Sequence, residues 1–184
     1  LANFGLKNPN CDKLGEKFWE LAESGNYSAV VVSVSDGYLR ENKIVSADGG
    51  RVDAGDQVTL WKVAYETFMN RLSGAVPNIG MVDDNPTFAS NPEDCLLSAS
   101  RARDCDVPLE KALAQNAELK QITKSVWANY SSDIDAIFDP TALLCPDGTC
   151  LLSEDGQSVM NDDSHFNKFW VEEQWPELAD FIQV

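Results

Sequence analysis

Apolar and polar positions along the chain alternate between two periods. CDKLGEKFWELAES (residues 11–24) has apolar residues at helical spacing, with Leu14, Phe18, Trp19 and Leu21 on or near one face. Gly25 and Asn26 end it. YSAVVVSVS (27–35) is a β-branched run between turn residues, which predicts a strand buried on both faces. After the loop SADGGRVDAGD, the helical period returns in QVTLWKVAYETFMNRL, with a core stripe of Val58, Trp61, Val63, Ala64, Phe68 and Leu72. AVPNIGMVDDNP predicts a second strand running into a loop, and residues 84 to about 108 are irregular. PLEKALAQNAELKQITKSVWANY predicts one helix with Pro108 in its first turn. DIDAIFDP predicts a third short strand, and LLSEDGQSV a hairpin-like excursion. A last helix is expected from about Asp163 to Ile182, with Pro176 kinking or restarting it.

Helices and strands in alternation imply an α/β fold: a three-layer α/β/α sandwich with a mainly parallel sheet. At 184 residues and 43% apolar composition, the expectation is one domain spanning residues 1–184 with a real core. Ligands of such sheets bind beyond the carboxyl ends of the strands. Asp36, Asp83 and Asp139 each follow a predicted strand. Their plainer reading is as loop and cap residues.

Charge removes one class of function. The net charge is -16, with only 14 basic residues and no dense basic run. Nucleic-acid binding needs clustered Lys and Arg to neutralise phosphate, so none is expected. No run approaches the length of a membrane span. The opening LANFGLKNPN has neither the basic start nor the apolar run of a signal peptide, and no initiator Met. The chain is expected to be a piece of something longer or a processed product, truncated at its N-terminus.

Five cysteines are present. Cys95 and Cys105 bracket one polar segment, and Cys145 and Cys150 bracket PDGT; each pair suits a short disulfide loop and an oxidising compartment. Zinc is the rival, but neither pair has C-x-x-C spacing and there is one histidine, so no metal and no cofactor are expected. Cys11 is left over, either as an inert buried thiol or as the partner of an upstream cysteine.

That histidine, His165, lies in NDDSHFNKFW with Asp162 three residues before it. Imidazole is the usual general base near neutral pH, and a nearby carboxylate holds its tautomer. The competing reading of DDSH is a helix N-cap through Asp163 or Ser164, and the two roles are compatible. No serine stands in a G-x-S-x-G or G-D-S context; Ser33, Ser35 and Ser164 read better as strand-end or cap residues. Cys11 has no nearby histidine to activate it as a nucleophile.

The tail resembles the end of SGNH-type domains, in particular the extracytoplasmic SGNH domains fused behind integral-membrane type-3 acyltransferases that O-acetylate envelope glycans. The residues that carry the resemblance are Asp139-Pro140, Cys145-Pro146, Cys150, Asp155-Gly156, Asp162 and His165, in that order. YSAVVVSVSDGY and VPNIGMVDDNPTF match strands of the family, and Cys11 matches a cysteine that pairs nearer the N-terminus. The resemblance implies acetyl transfer to, or acetyl-ester hydrolysis of, cell-envelope glycans. His165 would be the base and Asp162 its partner. A membrane acyltransferase domain of the same parent protein would be the partner, and the place extracytoplasmic. The family's G-D-S block, which supplies the serine, belongs several tens of residues before Cys11, where this chain has ten residues. The block that normally offers an Asn or Trp reads Ser35-Asp36-Gly37, the weak candidates for the oxyanion or substrate edge. The alternative is a non-enzymatic glycan-binding or scaffold domain of the same fold.

Overall fold

A computed structural model describes residues 9–33, 35, 50, 52–114 and 116–182. The chain divides into two compact units, one built mainly from residues up to Val82 and Glu118–Ile137, the other from Asp83–Ala117 and Phe138–Gln183.

The first unit holds helix α1 (Pro9–Ala22), strand β1 (Val30–Ser33), helix α2 (Ala54–Ser73), strand β2 (Ile79–Val82), helix α5 (Ala117–Asn129) from its second residue, and most of strand β4 (Ala136–Phe138). The strands form a parallel sheet in the order β1-β2-β4, with Val30 beside Ile79 and Ser33 beside Val82. β2 is the middle strand, and Ile79, Gly80 and Met81 are buried. β1 corrects the expectation of burial on both faces. It lies at an edge of the described sheet, and its residues alternate between half-buried and exposed, with Val31 turned outward. A β-branched run reports β-propensity rather than position in the sheet.

Trp61, Tyr65, Met69 and Leu72 of α2 join Trp19, Val126 and Trp127 in one core. Val63 and Leu14, expected on the apolar stripes, are exposed. Arg71 lies over the Trp19 ring at 4.1 Å and also pairs with Glu23, which covers the open side of that ring with a held cation. The carboxyl of Glu23 is lowered from its ordinary value, chiefly by the hydrogen bond from Arg71.

The second unit begins where β2 ends. The irregular stretch contains helix α3 (Pro92–Ser98), capped by Asn91, whose side chain accepts from Glu93 N–H, and a single 3-10 turn over Ala102–Cys105. Strand β3 (Val107–Pro108) pairs antiparallel with β5 (Thr149–Cys150). The helix expected from Pro108 to Tyr130 is two helices, α4 (Leu109–Leu113) and α5, separated at Asn116. Pro108 stands at the cap of α4 rather than inside its first turn.

After β4 come the short helix α6 (Thr141–Leu144), the turn of the second disulfide loop, and the hairpin β6 (Ser153–Glu154) to β7 (Gln157–Ser158). Asp155 and Gly156 both have positive φ, 46° and 80°, the conformation a two-residue turn of the I′ kind requires and D-G supplies. The last segment restarts at Pro176, as the proline signal predicts, and so forms two helices. α7 (Lys168–Glu173) is capped by Asn167, and α8 (Trp175–Ile182) has Pro176 in its first turn. Residues 161–165 precede both helices as a turn, so neither Asp163 nor Ser164 is the helix cap.

The disulfides Cys95–Cys105 and Cys145–Cys150 are both present, and Cys105, Cys145 and Cys150 lie in the core of this unit with Phe88, Leu144, Met160 and Trp170. Cys11 lies in α1, and its side chain is outside what the structure describes. Loops of 10 and 5 residues restrict the unfolded chain enough that removing either bridge costs about 2–3 kcal/mol. Denaturant melts of the Cys95→Ala/Cys105→Ala and Cys145→Ala/Cys150→Ala pairs measure this. Melts unchanged from the parent would mean that the bridges do not form in solution.

Candidate active site

The turn that carries His165 is closed by the backbone. Met160 and Phe166 form an antiparallel bridge, Asn161 N–H donates to His165 C=O at 2.7 Å, and Asn167 N–H donates to Val159 C=O at 2.8 Å. Met160 and Val159 are fully buried, and Phe166 stacks on Trp170 with ring centroids 4.6 Å apart. Trp170 in turn donates its indole N–H to Glu154 on the hairpin. The two ends of the turn are therefore held by core contacts while its tip faces water.

At the tip, Asp162 organises everything near it. Its Oδ1 accepts from the backbone N–H of Ser164 at 2.9 Å and of His165 at 2.7 Å. The same carboxylate meets the imidazole Nδ1 of His165 at 3.0 Å from Oδ1 and 2.8 Å from Oδ2. One carboxylate thus fixes both the backbone and the ring of His165. Burial pushes the Asp162 carboxyl up, but the hydrogen bonds from Ser164 N–H and from the ring and N–H of His165 outweigh it, and the net shift is downward from 3.8.

An ionised carboxylate only accepts hydrogen bonds, so Nδ1 must be the protonated nitrogen. In the neutral ring this leaves Nε2 with its lone pair, the state a general base requires. The His165 side chain is 77% exposed, which leaves it open to a reacting hydroxyl. The Ser164 hydroxyl donates to the carboxylates of Asp162 and Asp163, a turn role rather than that of a nucleophile.

The depressed Asp162 carboxyl has a consequence in acid. Its folded pKa lies below the unfolded one, so its stabilising contribution is complete above about pH 4 and is lost as pH falls through the lowered value. The amide signals of Ser164 and His165 are expected to titrate together below pH 4, on loss of their shared acceptor. A midpoint at or above that of an unperturbed aspartate would contradict the hydrogen bonding described.

The other candidates fare differently. Asp83 is buried, its N–H donates to Phe138 C=O, and its carboxylate accepts from Asp84 N–H. Asp139 accepts from Thr141 N–H and so shapes the entry to α6. Both act on the backbone near them. Ser35 is exposed just beyond β1, while Asp36 and Gly37 lie outside the described residues. Among the described residues no group of three or more His, Cys, Asp or Glu side chains is placed to hold a metal, and no helix is long and apolar enough to cross a membrane.

Two residues escaped the sequence reading. The Asn85 side chain donates to Ser164 C=O at 2.9 Å and to Pro86 C=O at 3.1 Å. Asn116, at the break between α4 and α5, donates to Asn85 C=O at 3.0 Å. Asn85-Pro86 carried a turn signal, but nothing local named its partner 79 residues away.

Comparison with known proteins decides the family. The family model described as "SGNH domain (fused to AT3 domains)" matches residues 2–173. The chain belongs to this family. No curated protein matches the sequence significantly. Among solved structures, this SGNH domain is similar to the periplasmic domain of a lipopolysaccharide acetyltransferase from Salmonella ser. Paratyphi A. The TM-score is 0.57 at 16% identity, over 92% of this chain. The match spans 63% of the length of that structure. The α/β/α three-layer class is the fold of this SGNH domain. Membership also supports acyl-transfer or hydrolase-type function in general terms.

Proposed function

We propose that residues 1–184 act as one SGNH domain that transfers an O-acetyl group to, or removes it from, a cell-envelope glycan on the extracytoplasmic side. In this reading it works beside a membrane acyltransferase domain of the same parent protein. The observation that carries the proposal is the contact between His165 Nδ1 and Asp162, at 2.8 Å, on a turn whose backbone the same carboxylate holds. Family membership, the likeness to a periplasmic domain and the two disulfides support the place and the partner.

The chemistry is nucleophilic catalysis with a serine. No G-D-S string occurs in these 184 residues, so the serine is assigned to another part of the natural chain. Its Oγ–H proton passes to His165 Nε2 as Oγ adds to the acyl carbonyl. The leaving oxygen takes that proton as its bond to the acyl carbon breaks, giving an acetyl-serine. In the second half a sugar hydroxyl, or water, gives its proton to Nε2 and attacks the acetyl carbon. The serine oxygen leaves and recovers the proton. Asp162 steadies the imidazolium formed in each half.

The test uses the full natural chain that contains these residues. Incubated with an activated acetyl ester and quenched, it is expected to carry one acetyl group on a serine by peptide mass spectrometry. Adding the glycan acceptor is expected to discharge it. Glycan binding without any acetyl-enzyme or turnover would assign the chain to the non-catalytic glycan-binding alternative.

A further inference from the structure

We infer that Asn85 is a positioning residue for His165, acting through the peptide bond between Ser164 and His165; its part in the reaction rests on the function proposed above. That peptide unit is planar and trans, so the Ser164 C=O and the His165 N–H point in opposite directions from one rigid plate. Asn85 Nδ2 donates to the C=O side at 2.9 Å, and Asp162 Oδ1 accepts from the N–H side at 2.7 Å. The plate is gripped from both edges. Rotating it would break one bond or the other, and the second of these is the bond by which the carboxylate that meets the ring is registered to the backbone.

The grip on the carbonyl side is mounted on a firm base. Asn85 is followed by Pro86, Thr87 and Phe88, all buried. Phe88 N–H donates to Asp163 C=O at 2.9 Å, so the segment 85–88 holds two successive carbonyls of the histidine turn. Asn85 is itself held, because Asn116 Nδ2 donates to its C=O. Asn116 is 1% exposed, and its Oδ1 has no hydrogen-bond partner among the described residues. A buried amide is costly unless hydrogen-bonded, and this one keeps its donor committed to the backbone of Asn85 while its acceptor goes unpaired. It also stands where a helix expected to be continuous is interrupted. The chain therefore runs from Asn116 to Asn85, to the Ser164–His165 peptide, to Asp162, to the imidazole. An exposed histidine on a surface turn would otherwise be free to swing away from its carboxylate.

His165 is the only histidine, so its ring nitrogens give an unambiguous nitrogen-15 signal. The experiment compares the parent chain with Asn85→Ala and Asn85→Asp at a pH where the ring is neutral. Asn85→Ala removes the amide without adding charge, and Asn85→Asp keeps its shape but replaces the donor with a charged acceptor facing the Ser164 carbonyl. The parent is expected to show mainly the Nδ1–H tautomer, and both variants a mixture with Nε2–H. Near-UV circular dichroism and intact disulfides show that a variant has folded, and one folded variant suffices. In the active full chain, kcat is expected to fall by up to about 10²-fold with KM little changed, the scale on which small misplacement of a catalytic group acts.

A lower melting temperature with an unchanged tautomer ratio and unchanged kcat would make Asn85 merely structural and overturn the inference. A changed tautomer ratio in a chain whose His165→Ala variant turns over normally would uphold the clamp while removing the catalytic reading.

Discussion

His165→Ala is expected to abolish acetyl transfer or acetyl-ester hydrolysis by the natural chain, by about 10⁴-fold or more, and to leave folding unchanged. The size follows from the role: His165 is the imidazole that the Asp162 carboxylate holds, and these 184 residues carry no second histidine. Losing a triad member leaves only what binding and oxyanion stabilisation supply. The lack of effect on folding follows from exposure. At 77% exposed, the side chain fills no core space, and its truncation leaves no cavity. Its backbone N–H and C=O, which close the turn, are kept. Turnover is measured by release or transfer of labelled acetyl, and folding by thermal melting. Turnover within tenfold of the parent would end the proposal that this SGNH domain uses His165 as its base.

Asp162 gives the second large effect, and two substitutions separate its two duties. In Asp162→Asn the amide oxygen still accepts from Ser164 and His165 N–H, so the turn is kept. The amide nitrogen now faces Nδ1 and can only donate, which makes Nδ1 the acceptor and moves the ring proton to Nε2. A base protonated at its reacting atom is useless, and a loss of about 10⁴ in kcat is expected, as when the equivalent carboxylate of a serine protease is made an amide. Asp162→Ala removes the backbone acceptor as well. It is expected to lose a similar amount of activity and also to broaden or shift the amide signals of residues 161–166. If Asp162→Asn kept full activity, the carboxylate would be a turn-former only.

Asp162 and His165 lie on one short segment, which is why their pairing is legible in the sequence. The two are three residues apart, and the turn between them brings carboxylate and ring together. The two disulfides span 10 and 5 residues, and their partners are likewise decided by local chain length. The D-G hairpin and the strand over Ile79–Val82 belong with them.

Other elements departed from the pattern because their state is decided across the chain. Val30–Ser33 has the composition of a buried strand yet lies at the edge of the described sheet, since neighbours and not propensity decide what a strand faces. The helical period runs on from Leu109 to Asn129, but the chain breaks at Asn116, whose amide is committed to Asn85. The helix expected at Asp163 begins instead at Lys168, because Asp162 turns its carboxylate to the N–H groups of Ser164 and His165 and Asn167 takes the cap.

By itself the sequence determined the alternation of helices and strands, the two disulfide loops, and the pairing of one carboxylate with one imidazole. Each rests on interactions within a few residues, where the geometry of the chain leaves little choice. Only the tertiary structure decided which strand is central, that the helical period after Leu109 breaks near Asn116, and that Asn85 and Asn116 stand behind the histidine. Those depend on strand pairing and on hydrogen bonds between residues far apart in sequence, 31 and 79 positions for the two asparagines, which exist only once folding has brought the segments together.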